Sequence, residues 1–275
     1  MSLFSIDETK CKRDGICADE CPRRLIEMKV GSSIPTPVED AEDRCIKCGH
    51  CVAVCPNGAF THSDLKTADF SLVRKEMALT TEQAEYFLRS RRSIRTYQAR
   101  TIEPDKIEKL IEIARYAPTG TNSQQVKWLV VNSREKVKNM AAMTVDLMRH
   151  MIKNKNPLSD RYRLATVVKA WDSGIDSVSR NAPALVIAYA PKDYGLAQVD
   201  CTSALCYLDL TAPTLGFGCC WAGFLMIGAL HWPPFQQSLA LPEGHASFGI
   251  MMIGYPKYHY YLLPPRNKAN IGWQK

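Results

Sequence analysis

Cys45-Ile46-Lys47-Cys48-Gly49-His50-Cys51-Val52-Ala53-Val54-Cys55-Pro56 decides the reading of the front of this chain. Its cysteines are separated by two, two and three residues, and a proline follows the last. At this spacing three thiolates of one tight loop hold three corners of a cubane iron–sulfur cluster, and the fourth reaches a second cluster. Short, regular spacing also aims backbone N–H groups at the sulfur atoms, and Pro56 turns the chain away. Seven of the eleven cysteines lie between residues 11 and 55. In a secreted chain that density would suggest disulfides, but the spacing favours metal over a disulfide framework or zinc.

The same pattern stands once upstream, as Cys11-x-x-Asp14-x-x-Cys17-x-x-x-Cys21-Pro22, with every element displaced by 34 residues. Residues 1 to about 62 therefore read as an internal duplication in which each half contributes to both clusters. Cys45, Cys48 and Cys51 with Cys21 hold one 4Fe-4S cluster. Cys11, Cys17 and Cys55 hold the other, with Asp14 where a fourth thiolate is expected. A carboxylate is a harder ligand that binds a corner iron less firmly. Asp14 either ligates an interconvertible corner or faces solvent beside a three-iron (3Fe-4S) cluster. His50 is read as a surface residue. The segment resembles the two-cluster ferredoxins over its whole length, and some members of that family carry an aspartate at this place.

The chain has 275 residues, 46% hydrophobic and 23% charged, which excludes disorder and low-complexity fibres. The net charge of +7 divides unevenly: residues 1–65 carry −3 and the remainder +10. An acidic front and a basic back argue for two domains of different chemistry. No zinc finger, RNA-binding signature or basic helix accompanies the basic part, so a phosphate-bearing cofactor is expected there and nucleic acid is not. The longest apolar run, Cys219 to Leu230, is too short to span a bilayer. Met1 to Glu8 lacks the order of a signal peptide. The expectation is a soluble, unexported protein with no membrane partner, and cluster chemistry with unpaired thiols implies the cytoplasm.

The expected layout is a cluster domain over 1–65, a linker over 66–79 and a larger domain over 80–275. Thr80 and Gln83 have the spacing of a capping box that opens a helix. Ile107, Leu110, Ile111 and Ala114 predict an amphipathic helix opened by Pro104 and stopped by Pro118. Val126–Asn132, Ala184–Ala190 and Ser247–Gly254 are strand candidates. Arg134–Met151 and the largely apolar Leu196–Leu215 are helix candidates. Helices flanking a mixed sheet describe an α+β fold. Cys201, Cys206, Cys219 and Cys220 are read as buried structural thiols.

Two segments of the larger domain carry chemistry. Arg89-Ser90-Arg91-Arg92-Ser93-Ile94-Arg95 places four arginines in seven residues, and guanidinium forks pair bidentately with phosphate. Taken alone, such a run is more often a solvated helix face. Ala117-Pro118-Thr119-Gly120-Thr121-Asn122-Ser123-Gln124-Gln125 is a polar turn between helix and strand. In this order they resemble the FMN-dependent nitroreductase family, from about residue 82 to the C-terminus. Gly216 to Phe224 and Gly254-Tyr255-Pro256 to Arg266 add to the likeness. Val126 stands where the family carries proline, and Trp128 is displaced. The resemblance implies that Arg91, Arg92, Ser93 and Arg95 bind the ribityl phosphate end of FMN, with Arg266 reaching the phosphate. It implies a homodimer in which Pro118, Thr119, Gly120 and Asn122 come from the partner subunit. Ala222 and Gly223 would offer backbone N–H groups near flavin N5.

The expected activity is an FMN-dependent oxidoreductase that passes electrons between the clusters and FMN to reduce a small electron-poor acceptor, such as a nitroaromatic or a quinone. NAD(P)H or an external one-electron donor protein supplies the electrons. No side chain is needed as general acid, so no catalytic residue is named. A reductive dehalogenase on the same fold and a non-catalytic electron carrier or redox sensor are the alternatives.

Overall fold

A computed structural model describes residues 2–28, 31 and 33–274. The chain divides into two units, residues 1–78 with 120–123, and residues 79–119 with 124–275.

The first unit contains β1 (Phe4–Ile6), α1 (Ile16–Asp19), β2 (Ile26–Glu27), β3 (Thr36–Pro37), α2 (Ala41–Arg44), α3 (His50–Ala53) and β4 (Phe60–His62). β1 pairs antiparallel with β4, and β2 with β3. Leu3, Phe4, Leu25, Ile26, Ala41, Val52 and Phe60 form its small core, with the Phe4 and Phe60 rings 4.5 Å apart. The 34-residue repeat is visible in the backbone. α1 and α3 each follow a left-handed glycine, Gly15 (φ 82°) and Gly49 (φ 74°). Arg13 (φ 56°) and Lys47 (φ 50°) match, as do Arg24 (φ 52°) and Gly58 (φ 59°). Non-glycine residues are uncommon in this region, so its recurrence at one offset reflects two copies of one loop.

The second unit contains α4 (Thr81–Ser90), α5 (Pro104–Ala114), β5 (Lys127–Val131), α6 (Arg134–Lys153), α7 (Pro157–Arg161), α8 (Leu164–Asp172), β6 (Ala184–Pro191), α9 (Ala197–Thr211), β7 (Gly218–Trp221), α10 (Gly223–His231), α11 (Pro233–Ser238) and β8 (His245–Gly254). The expected capping box is present: Gln83 N donates to Thr80 Oγ1 and Thr80 N to Gln83 Oε1. The strand order is β5-β6-β8-β7, and among the described residues all three pairings are antiparallel. Side chains alternate between the faces of a strand, and this sheet buries both. Leu185, Ile187, Ile250 and Met252 pack under α6, α8, α10 and α11. Ala184, Val186, Met251 and Ile253 pack against α5 and α9. Two covered faces explain why β6 reads as an unbroken apolar run.

One expectation about α9 is corrected. Cys201 is buried, but Cys206 is exposed. Cys201, Ala204, Leu205 and Leu208 make the stripe that faces the sheet, and Cys206 falls off that stripe. Cys219 and Cys220 are buried in β7. The backbone of the arginine segment is docked on β7, where Ile94 N donates to the Cys219 carbonyl at 2.9 Å. A side chain at Gly218 would collide with Ile94, so glycine there is a condition of that docking. Among the described residues no helix is long and apolar enough to cross a membrane.

Candidate functional site

The cysteines of the first unit line two cavities, one in each half of the duplication. Cys21, Cys45, Cys48 and Cys51 share one with Leu25 and His62. Cys11, Asp14, Cys17 and Cys55 share the other with Met28. These are the two sets expected from the repeat, each drawing one thiol from the opposite half. All eleven cysteines are free thiols. Among the described residues no three His, Cys, Asp or Glu side chains converge on a single-ion site; the donors stand apart on cavity walls. Leu25 N donates to Cys21 Sγ and Ala59 N to Cys55 Sγ, both at 3.3 Å, and Lys47 N to Cys45 Sγ at 3.4 Å. Such donors suit sulfur that carries negative charge. Burial pushes the Cys51 thiol up to about 12 and raises Cys17 as well. Bound iron offsets that cost by favouring thiolate. The donor set therefore fits two clusters. The Asp14 carboxylate accepts the N–H of Ile16 at 3.3 Å at the head of α1, so its orientation is fixed locally while it lines the cavity.

The second unit holds a cavity of about 540 Å³ at the start of α10, within the range of small-molecule sites. Ala222, Phe224, Ile227, Phe248 and Met252 make its apolar walls, and Arg95 and Arg180 are its cations. Both arginines oppose the upward push that burial gives the Cys220 thiol, so their charge reaches this wall. Ser177 Oγ, also in the lining, is buried without a hydrogen-bond partner, a donor that an incoming polar ligand would satisfy. These features fit an anionic, largely aromatic cofactor such as FMN.

Only some of the expected flavin residues meet here. Arg95, Ala222 and Gly223 line the cavity, whereas Arg91, Arg92, Ser93, Pro118, Thr119 and Arg266 stand outside its lining. The Ala222 N–H is taken by the Ile250 carbonyl at 2.9 Å, extending the ladder of the sheet. Gly223, as the first residue of α10, has an N–H without an intrahelical acceptor. Arg91 Nη1 pairs with Asp209 Oδ2 at 3.2 Å, and only a small part of either side chain is exposed. Arg92 Nη2 donates to the Arg89 carbonyl, and its Nε is buried and unpartnered. Arg92 lines a second cavity of about 440 Å³ with Asp209, Phe217 and Tyr255. Thr119 Oγ1 accepts from Gln124 N at 3.1 Å. Gly120 and Asn122 group with the cysteine-bearing unit, where Asn122 Nδ2 donates to the carbonyls of Ile46 (3.0 Å) and Lys47 (3.1 Å). Arg266 is exposed on the C-terminal segment.

Three residues of these sites were not foreseen. Arg180 enters on a loop clamped by Asp176, whose carboxylate accepts the N–H groups of Val178 (2.9 Å), Ser179 (2.8 Å) and Asn181 (2.9 Å). The clamp holds Arg180 at φ 57°, a conformation a bulky residue keeps only when its surroundings fix it. Asp209 was signalled only by being a carboxylate inside an apolar helical run. Burial raises its pKa, and Arg91 opposes the rise. The third is His62.

With this geometry in view, comparison with known proteins is informative. The sequence pattern of the nitroreductase family matches residues 88–255, and that of the 4Fe-4S dicluster domain matches residues 9–60. An Archaeoglobus fulgidus protein named "Putative NADH dehydrogenase/NAD(P)H nitroreductase" is 27% identical over 180 residues, 64% of this chain and 87% of the relative. A Bacteroides fragilis nitroreductase solved with bound FMN superposes with a TM-score of 0.58 at 24% identity, covering 69% of this chain and 96% of that one. A Desulfitobacterium hafniense nitroreductase with bound FMN gives 0.56 at 22% identity, covering 72% and 100%. These superpositions establish the shared fold. The chain is an oxidoreductase that belongs to the nitroreductase family and carries a 4Fe-4S dicluster domain ahead of it.

Proposed function

We propose that this protein binds FMN in the cavity of its second unit and reduces a small electron-poor acceptor there, a nitroaromatic or a quinone, with electrons that enter through two iron–sulfur clusters. The observation that carries the reading is the union, on one chain, of two cysteine-lined cavities with an apolar cavity edged by Arg95 and Arg180. FMN exchanges electrons singly or in pairs while clusters pass one at a time, so the pair couples a one-electron donor to a two-electron product. Cys21, Cys45, Cys48 and Cys51 are one proposed ligand set, and Cys11, Cys17 and Cys55 with Asp14 the other. Arg95 and Arg180 supply positive charge where negative charge accumulates on reduction. Gly223 offers its free N–H, and the apolar wall keeps water from the reacting face. A homodimer in which the partner subunit contributes Pro118, Thr119, Gly120 and Asn122 belongs to the same proposal.

Arg91 is assigned to Asp209 rather than to the cofactor, because removing it leaves a buried carboxylate uncompensated, at a cost of roughly 3 kcal/mol. The cleaner test is therefore Arg95→Ala with Arg180→Ala. Each charge-assisted contact contributes roughly 1.5–3 kcal/mol. The double variant should bind FMN about 10²-fold or more weakly while its iron content stays unchanged. For the activity, anaerobically purified full-length protein of known iron and flavin content is given a low-potential one-electron donor or NAD(P)H, the donor in the relatives' names. Acceptor loss driven by the one-electron donor is expected. Full iron and flavin content with no turnover of either acceptor would make the protein an electron carrier.

A further inference from the structure

His62 is 4% exposed and lies at the end of β4, in the lining of the cavity of Cys21, Cys45, Cys48 and Cys51. Its Nδ1 accepts the backbone N–H of Asp64 at 3.1 Å. An imidazole nitrogen that accepts carries no proton, so in the neutral ring the proton is on Nε2. That nitrogen lies 3.4 Å from Cys45 Sγ. The Asp64 turn is held in place by the ion pair of its carboxylate with Lys47 Nζ at 2.7 Å. Cys45 Sγ thus receives two N–H donors, the backbone of Lys47 and the ring of His62. The 34-residue repeat supplies an internal control. β2 is the counterpart of β4, and Met28 is the counterpart of His62, lining the cavity of Cys11, Cys17 and Cys55. A thioether has no proton to donate.

We propose that His62 is a positioning residue that donates an N–H···S hydrogen bond to the Cys45 thiolate and so raises the reduction potential of the cluster on that side, a contribution that Met28 cannot make on the other. This rests on the reading of both cavities as cluster sites. Hydrogen bonds to ligand sulfur stabilise the added negative charge of the reduced state. One electron arrives from the external donor, no bond forms or breaks, and the proton stays on Nε2.

The test is an EPR-monitored redox titration of the anaerobically purified full-length protein, with iron content measured for each variant. His62→Met, which copies the other half, should keep its iron. It should lower one of the two midpoint potentials by about tenfold in the one-electron equilibrium constant, about 59 mV, and leave the other in place. His62→Gln, whose amide retains an N–H, should recover part of the loss. Both potentials unchanged in an iron-replete His62→Met protein would overturn the proposal. Should that variant lose a cluster, the wild type decides: with ¹⁵N-histidine label, pulsed EPR of the reduced protein should show a ring nitrogen coupled to one cluster, persisting in His50→Ala. Its absence would overturn the proposal. Wild-type protein without iron clusters would instead defeat the reading on which it rests.

Discussion

The two halves of the cysteine-rich unit share their backbone and differ in their chemistry. Helix, left-handed glycine and the N–H donor to the fourth cysteine recur at one offset, at Leu25 and Ala59. Among the side chains that differ between the two cavity linings, two bear on the proposed clusters directly: Asp14 against Cys48, and Met28 against His62. Duplication fixes the shape of a loop, because the shape follows from a few conformational requirements such as those at Gly15 and Gly49. It does not fix the electronic environment, because a single side chain changes that without moving the backbone. If the two cavities hold the proposed clusters, these side chains suit them to unequal potentials.

The comparison breaks most completely when the halves are uncoupled. Cys21 belongs to the first half by sequence but lines the cavity of the second. Cys21→Ser should therefore cost the cluster of Cys45, Cys48 and Cys51, halving the iron content, while the neighbouring half keeps its own. Removing all iron should go further. The core of this unit is a handful of side chains, and domains this small commonly need a metal to fold. Anaerobic chelation should abolish its calorimetric transition and leave that of the second unit, which has apolar layers on both faces of its sheet. A first-unit transition that survives iron removal would show that the clusters do not hold that unit together.

Much of this arrangement was legible in the sequence, and what was missed shares a physical cause. The cysteine spacing is local, so it announced both cavities and the crossed sets of thiols that line them. The capping box at Thr80 and the apolar runs of β6 and β8 are equally local. Arg180 and Asp209 matter through partners far along the chain, Arg91 for Asp209 and the α10 wall for Arg180, and no periodicity marks such meetings. The family resemblance implied that Arg91 and Arg95 both face one phosphate, yet Arg91 is paired with the buried Asp209 carboxylate. β7 escaped notice because Gly218–Trp221 is short and runs directly into the apolar α10. His62 was within reach, since comparison of the halves at offset 34 places it against Met28.

A smaller effect is expected at the ligand itself. As a proposed ligand Asp14 would offer a weaker bond to iron than a thiolate, and its carboxylate is shared with the Ile16 N–H. Mild oxidation under anaerobic conditions should convert that cluster to a three-iron form with its own EPR signal. Asp14→Cys should remove the signal by restoring the symmetry of the repeat. Wild-type clusters that resist oxidation equally would mean that Asp14 does not make the halves unequal.

The smallest change is the mirror of the histidine experiment. Met28→His gives the first half the residue that the second half has, so the potential on the Asp14 side should rise, by less than His62→Met lowers the other. The asymmetry follows from what holds each ring. His62 sits within a strand, paired with Phe4, and its Nδ1 is capped by the Asp64 N–H, which fixes the proton on the nitrogen that faces sulfur. Met28 lies just beyond β2, a strand of two residues, and is half-buried. An imidazole there divides its population between tautomers and rotamers, and only part of it presents N–H to Cys11. The redox titration that resolves both clusters reads this directly: a rise confined to one midpoint, with the other unmoved. A rise as large as the fall at His62 would show that the Asp64 N–H does not set the tautomer. No shift at all would place the difference between the halves with Asp14 alone.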